Sequence, residues 1–139
     1  HYPCRRRGRQ RRVEHFRGWL GEMDGIRHGW VAVENGAVIG MAVTVPSRDP
    51  DAGPSTGELE AIYLAPEAIG RGVDRQLIQA AISDLYERGF TDATLWILRE
   101  NQQARDFYEA AGWETARATK DEERPGGTLR EIRYRRALQ

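Results

Sequence analysis

The chain has 139 residues, enough for one domain with a single sizeable core and too few for two. Lysine plus arginine and aspartate plus glutamate both total 21, and the 40% apolar and 30% charged fractions fit an ordinary globular chain rather than a disordered or fibrous one. A single cysteine, Cys4, excludes an internal disulfide; no Cys/His cluster has metal-ligand spacing, and no apolar run approaches the roughly 18 residues that span a bilayer.

The opening "CRRRGRQRR" is a run of arginines without interleaved aromatics or a second basic element. Residues 1–12 are therefore read as a basic, flexible segment rather than a nucleic-acid-binding face, and no specific nucleic-acid partner is expected. No charged-then-apolar leader is recognisable there, so the default expectation is a cytoplasmic chain without membrane contact. Val13, Phe16, Leu20 and Met23 then recur at helical spacing and predict an amphipathic helix.

"GWVAVENGAVIGMAVTV" gives two β-rich runs around Asn35-Gly36, a pair that tolerates the positive φ angles of a tight hairpin. "PSRDPDAGPSTG" reads as a surface loop and "ELEAIYL" as the next strand. From Gly72 to about Arg88, Val73, Leu77, Ile78, Ala81, Ile82 and Leu85 share one helical face, with Gly89 as the stop. "DATLWIL" follows as a strand, Ala104, Phe107, Tyr108 and Ala111 mark a short helix ended by Gly112, and "RPGG" turns a closing hairpin. This order predicts an α/β (α+β) domain over 13–139, built on one central, mostly antiparallel mixed sheet flanked by helices.

The turn "IGRGVD" stands between a strand and a helix. Backbone N–H groups at a helix start have no internal partners, and the helix dipole adds partial positive charge, so such a turn is suited to phosphate. Gly70 and Gly72 let the backbone approach an anion, with Arg71 and Arg75 as countercharges. On these residues alone an ordinary strand-to-helix turn is an equally good reading.

From about Gly29 onward, "ELEAIYLAPEAIGRGVDRQLIQAAI" and "NQQARDFYEAAGW", with their separation, resemble the GNAT superfamily of acyl-CoA-dependent N-acetyltransferases. The resemblance implies acetyl-CoA as cosubstrate and a primary amine, on a small molecule or a peptide, as acceptor. It also implies that Ile62, Tyr63 and Leu64 line the pantetheine arm through their backbone, that Gly70, Arg71, Gly72, Val73, Asp74 and Arg75 wrap the pyrophosphate, and that Asn101 lies near the thiol end. Tyr108 would be the general acid and a glutamate of "ELEAIYL" the general base; Glu58 aligns best, with Glu60 left open. Residue alternation puts Glu58 and Glu60 on one sheet face and Leu59, Ala61 and Tyr63 on the other. No metal is implied, and direct attack in a ternary complex is expected because no nucleophile is placed for a covalent intermediate.

The sequence departs from the family pattern at three places. Ile69 stands where Gln or Arg is usual, and Asp74 where Gly or Ala is usual. A carboxylate about 4 Å from a phosphate costs about 1 kcal/mol in water and about 4 at an effective dielectric near 20. Two arrangements answer this: Asp74 turns outward to Arg71 or Arg75, the favoured expectation, or it caps the loop and leaves a degenerate domain with a binding or regulatory role. Third, "HYPCRRRGRQ" is a poor match to the family's first strand, which would leave a hairpin edge open to a partner strand and a homodimer as an option. His1, His15 and His28 fall in no motif and are read as surface or packing residues.

Overall fold

The computed structural model describes the backbone of Arg12–His15 and all atoms of residues 26–139. The strands are β1 (Arg12–His15), β2 (His28–Glu34), β3 (Ala37–Pro46), β4 (Thr56–Leu64), β5 (Asp92–Leu98), β6 (Glu114–Arg124) and β7 (Gly127–Ala137). Among the described residues, two helices, α1 (Val73–Glu87) and α2 (Gln102–Ala110), and a short 3-10 turn at Pro66–Ala68 join the strands. The strands form one sheet in the order β1-β2-β3-β4-β5-β7-β6. Every neighbouring pair is antiparallel except β4 and β5.

Local signals account for most of these boundaries. Asn35 and Gly36 both take positive φ, 54° and 79°, which matches the right-handed twist of the strands they join. The buried stripe of α1 includes Val73, Leu77, Ile78, Ala81 and Leu85. It joins Ala42, Leu59, Ala93 and Leu95 of the sheet in one core. Gly57 makes that approach close: a Cβ there would lie 2.7 Å from Leu85 Cδ2. Gly89 and Gly112, both at positive φ, follow the two helices.

Two expectations are corrected at the N-terminal end. Val13 lies in strand β1, not in a helix, and β1 pairs with β2 from Arg12↔Val33 to His15↔Trp30. That pairing covers the edge of the β2–β3 hairpin along this stretch, so the argument for a dimer from an open edge does not apply there. Short alternating runs such as Val-Glu-His-Phe satisfy strand and helix periods alike, and tertiary pairing decides. The rest of the expected helix, with Phe16, Leu20 and Met23, lies outside the described residues, as do the arginine run before Arg12 and His1.

His28 is a packing residue at the centre of a buried polar cluster. Its Nδ1 donates to Asp84 Oδ1 at 2.6 Å, while Thr44 Oγ1 and Arg88 Nη1 donate to Asp84 Oδ2 at 2.8 and 3.1 Å. Arg88 Nη2 also donates to the carbonyl of Ile26 at 2.6 Å. One carboxylate on α1 thus ties the helix to β2 and β3, at the end of α1 remote from its N-terminus. Asp84→Ala removes the carboxylate that accepts from His28, Thr44 and Arg88, and is expected to cost about 3 kcal/mol in urea unfolding. A loss under about 1 kcal/mol would show that water replaces the carboxylate.

Candidate active site

Strands β4 and β5 are hydrogen-bonded only at their start, from Thr56↔Asp92 to Glu58↔Thr94. β4 then runs on to Leu64 and β5 to Leu98 without each other. The register between β3 and β4 slips at this point: Thr44 pairs with Leu59 and Val43 with Ala61, which leaves Glu60 as an extra, bulged residue. The bulge inverts the alternation expected for this strand. Leu59 is buried, but beyond the bulge Ile62 and Leu64 turn to the helix side, while Ala61 and Tyr63 are exposed. A uniform two-residue period put Ala61 and Tyr63 on the face of Leu59, and the extra residue makes that wrong.

The parted strands open a cleft of about 330 Å³. Ile62 and Leu64 of β4, Ile69 and Asp74 at the start of α1, Ile78, and Asn101, Ala104, Phe107 and Tyr108 of the α2 region line it. It therefore brings together Ile62, Leu64, Asp74, Asn101 and Tyr108 from three separate segments of the chain. Tyr63 is 57% exposed and is not among the cleft-lining side chains.

At the mouth, Gly70 and Gly72 take φ of 80° and 82°, and a Cβ on either would meet nothing within 4 Å. The amides of Gly72, Val73 and Asp74 have no acceptor among the described residues. The amide of Arg75 is occupied, because Asp74 Oδ1 accepts from it at 2.8 Å. The favoured expectation for Asp74 is thereby corrected: the carboxylate makes no ion pair with Arg71 or Arg75 among the described residues, but holds a backbone N–H and faces the cleft. Arg71 is drawn away, donating to Glu34 Oε2 at 2.6 Å and to the carbonyl of Glu67 at 3.1 Å. The reason is burial: the Glu34 side chain is 2% exposed and needs a cation more than a solvated Asp74 does.

Asn101 caps α2, its Oδ1 accepting from the Ala104 amide at 3.1 Å. Tyr108, two turns along, is buried against Phe107 and Trp113 in edge-to-face contacts with centroids 5.2 and 5.8 Å apart. Burial, and secondarily the negative charge of Asp74, push its phenol to about 12, so it stays protonated throughout the neutral range.

Glu58 lies on the opposite face of the sheet. Its carboxyl is raised, first by burial, then by Asp49 and to a smaller extent by Glu60, with Lys120 pulling the other way. Like charges thus contribute as expected, but desolvation leads. Glu60 is exposed and engaged by Arg27, with Nε to Oε1 at 3.1 Å and Nη2 to Oε2 at 3.3 Å. Around Glu58 stands a group that the sequence did not single out. Trp96 Nε1 donates to Asp49 Oδ1 at 3.3 Å, Arg133 Nη1 donates to Asp51 Oδ1 at 2.7 Å, and Lys120 Nζ lies 4.0 Å from the Trp96 ring centroid. The alternation in "DATLWIL", with Trp96 opposite to the buried Leu95 and Ile97, was the available signal.

The family model for the acetyltransferase (GNAT) family matches residues 2–113. The chain belongs to the GNAT acetyltransferase family. N-acetyltransferase family 8 member 2 of Rattus norvegicus is 25% identical over 89 residues, 63% of this chain and 39% of that one, so this chain aligns with well under two thirds of that relative. The ribosomal-protein-alanine N-acetyltransferase of Brucella melitensis superposes with a TM-score of 0.74 at 26% identity, covering 86% of this chain and 75% of that chain. The yncA protein of Salmonella typhimurium, solved with its cofactor acetyl-CoA, gives 0.73 at 22% identity over 88% of this chain and 70% of that one, a likeness of fold. Among the described residues no helix is long and apolar enough to cross a membrane.

If Asp74 contributes to the phenol's upward shift, Asp74→Asn lowers the Tyr108 titration from about 12, while burial keeps it above the ordinary 10.0. Ultraviolet difference titration of the phenolate reads this directly, with Tyr108→Phe as the reference; an unmoved titration would mean that the carboxylate is screened from the ring.

Proposed function

We propose that this chain is an acetyl-CoA-dependent N-acetyltransferase acting on a primary amine by direct attack in a ternary complex. The observation that carries the reading is the parted β4–β5 pair, which opens a cleft with free helix-mouth amides at one end and a protonated Tyr108 inside it. Membership of the GNAT family supports it.

The residues present fit the cosubstrate. Gly70 and Gly72 leave open space where side chains would stand, and three unpartnered amides beside them suit a diphosphate. Arg75 is the nearby cation not committed to an ion pair among the described residues. Ile62, Leu64, Ala104 and Phe107 offer the apolar wall an extended pantetheine arm needs. When bound, acetyl-CoA supplies an activated acyl group. The chain's own residues do the proton work. Glu58, held above its ordinary range, is the base for the incoming ammonium, and Tyr108 Oη keeps a proton in the cleft for the departing side.

One observation favours a second reading, a degenerate domain with a binding or regulatory role. Asp74 Oδ1 already sits on one of the amides that an anion would use. Calorimetric titration with acetyl-CoA separates the two. The transferase reading expects saturable binding, and binding about fivefold or more tighter for Asp74→Gly, the equivalent of about 1 kcal/mol of relieved repulsion. Absence of binding by both forms of a folded chain would leave the degenerate reading.

Turnover is expected to fall on the acid side as Glu58 is protonated, with a midpoint above the ordinary glutamate value of 4.5 because its carboxyl is raised. Glu58→Gln removes that limb along with most of the rate. Tyr108→Phe lowers kcat by about 100-fold with little change in cosubstrate affinity, if the phenol acts in the transition state. A full-rate Tyr108→Phe enzyme would take the phenol out of the mechanism.

A further inference from the structure

Lysine and arginine together number 21, and Lys120 is the only lysine among them. It is therefore the only side-chain primary amine the sequence contains. Lys120 pairs with Glu131 of β7, and Glu131 pairs with Leu98 of β5, so the three side chains share a sheet face. Leu98 belongs to the stretch of β5 that β4 no longer accompanies. Lys120 thus stands across the sheet from the opened part of the strand pair, on the face that carries Trp96 and Glu58.

The seat of its ammonium is defined. Nζ lies 4.0 Å from the Trp96 ring centroid and 3.8 Å from Asp49 Oδ1, and its charge acts on the Glu58 carboxyl. The Lys120 side chain is 51% exposed while that of Asp49 is 6% exposed, so the amine is reachable from solvent. Ion pairing alone does not call for lysine here. Arginine stacks on indole and pairs with carboxylates at least as well, and Arg133 does both on this same ring and this same Asp49. What lysine adds is an amine that becomes a nucleophile once a base removes its proton.

We propose that Lys120 is an acetylation site of the chain's own making, its Nζ taking the acetyl group from an acyl-CoA thioester held in the cleft. The proposal rests on the transferase reading above. The Nζ ammonium gives one proton to the Glu58 carboxylate by way of a bridging water, and the freed lone pair forms a bond to the thioester carbonyl carbon. The carbon–sulfur bond breaks with its electron pair going to sulfur. The proton that nitrogen then loses ends on sulfur by way of Tyr108, giving the free thiol and an acetamide on Lys120, while the proton on Glu58 passes to water. Acetylation erases the positive charge over Trp96 and beside Asp49, and with it the downward pull on Glu58.

The test uses the full chain with acetyl-CoA and peptide mass spectrometry. One acetyl group is expected on Lys120, appearing with a half-time independent of chain concentration and slowed by at least about tenfold in Glu58→Gln. Lys120→Arg should bind acetyl-CoA in calorimetry and remain unlabelled at that position. A second readout needs no cosubstrate: in the free protein, Lys120→Gln should raise the Glu58 carboxyl titration followed by NMR. Acetyl-CoA binding with Lys120 unlabelled overturns the proposal. So does labelling at full rate in Glu58→Gln, which would be direct chemical acylation, and so does a Glu58 titration that Lys120→Gln leaves unmoved. Absence of acetyl-CoA binding sinks the transferase reading itself and this proposal with it.

Discussion

The parting of β4 from β5 after three paired residues is the constraint on which the rest of the structure depends. A sheet normally gains by pairing every backbone group it can, so a parallel pair that stops at Glu58 and Thr94 leaves polar groups to be satisfied by something else. The bulge at Glu60 bends β4 and shifts its side-chain phase, so Ile62 and Leu64 face the helices where an unbroken strand would show Ala61 and Tyr63. α1 enters from one side with its free amides, and α2 closes the other with Asn101 and Tyr108. On the opposite face the same divergence leaves Glu58, Trp96 and Lys120 grouped beside the opening. One interruption in a hydrogen-bond ladder therefore creates the cleft, its lining and its proximity to a raised carboxyl.

Charge at the mouth is where the chain departs furthest from what its shape suggests. Arg71 is committed to Glu34, whose side chain is too buried to be left unpaired, and Asp74 sits where positive potential would be more useful. The resulting mouth relies on backbone dipoles and Arg75 rather than on a cluster of guanidinium groups. On the proposed reading such a site would hold an anion through directional amide hydrogen bonds, which salt screens less than it screens exposed charge pairs.

Much of this was legible in the sequence, and the parts that were not have a common cause. Asn35-Gly36, the glycines after each helix and the α1 stripe are local signals, and local structure follows them. Asn101 and Tyr108 meet at the cleft because seven residues of helix bring them to one side, again a local fact. The withdrawal of Arg71 to Glu34 and the ties of His28 and Thr44 to Asp84 depend on partners at least 37 residues away, and the bulge at Glu60 depends on its pairing with β3, none of which a local window of sequence contains. The strand at Arg12–His15 belongs to the same class: four residues have no strong preference until β2 lies beside them. The lone lysine was countable from the start. Its meaning depended on a register that sets it over Trp96.

The acid assigned to Tyr108 has a requirement that follows from its own environment. A phenol at about 12 is a weaker acid than an ordinary thiol near 8.5, a mismatch of about 5 kcal/mol against protonating a sulfur that is as weakly basic as it is in water. The two causes that raise the phenol, burial and the charge of Asp74, act on any anion placed beside it, so a sulfur leaving into the same cleft is made more basic by the same surroundings. The mismatch therefore narrows where it matters, provided water is kept out. On the proposed transferase reading Asp74 would have opposed effects: it would repel phosphates at the mouth and make a departing anion in the cleft readier to take the proton. An enzyme built this way gives up cosubstrate affinity for a stronger demand on its acid, and a neutral residue at the same position would reverse both effects together.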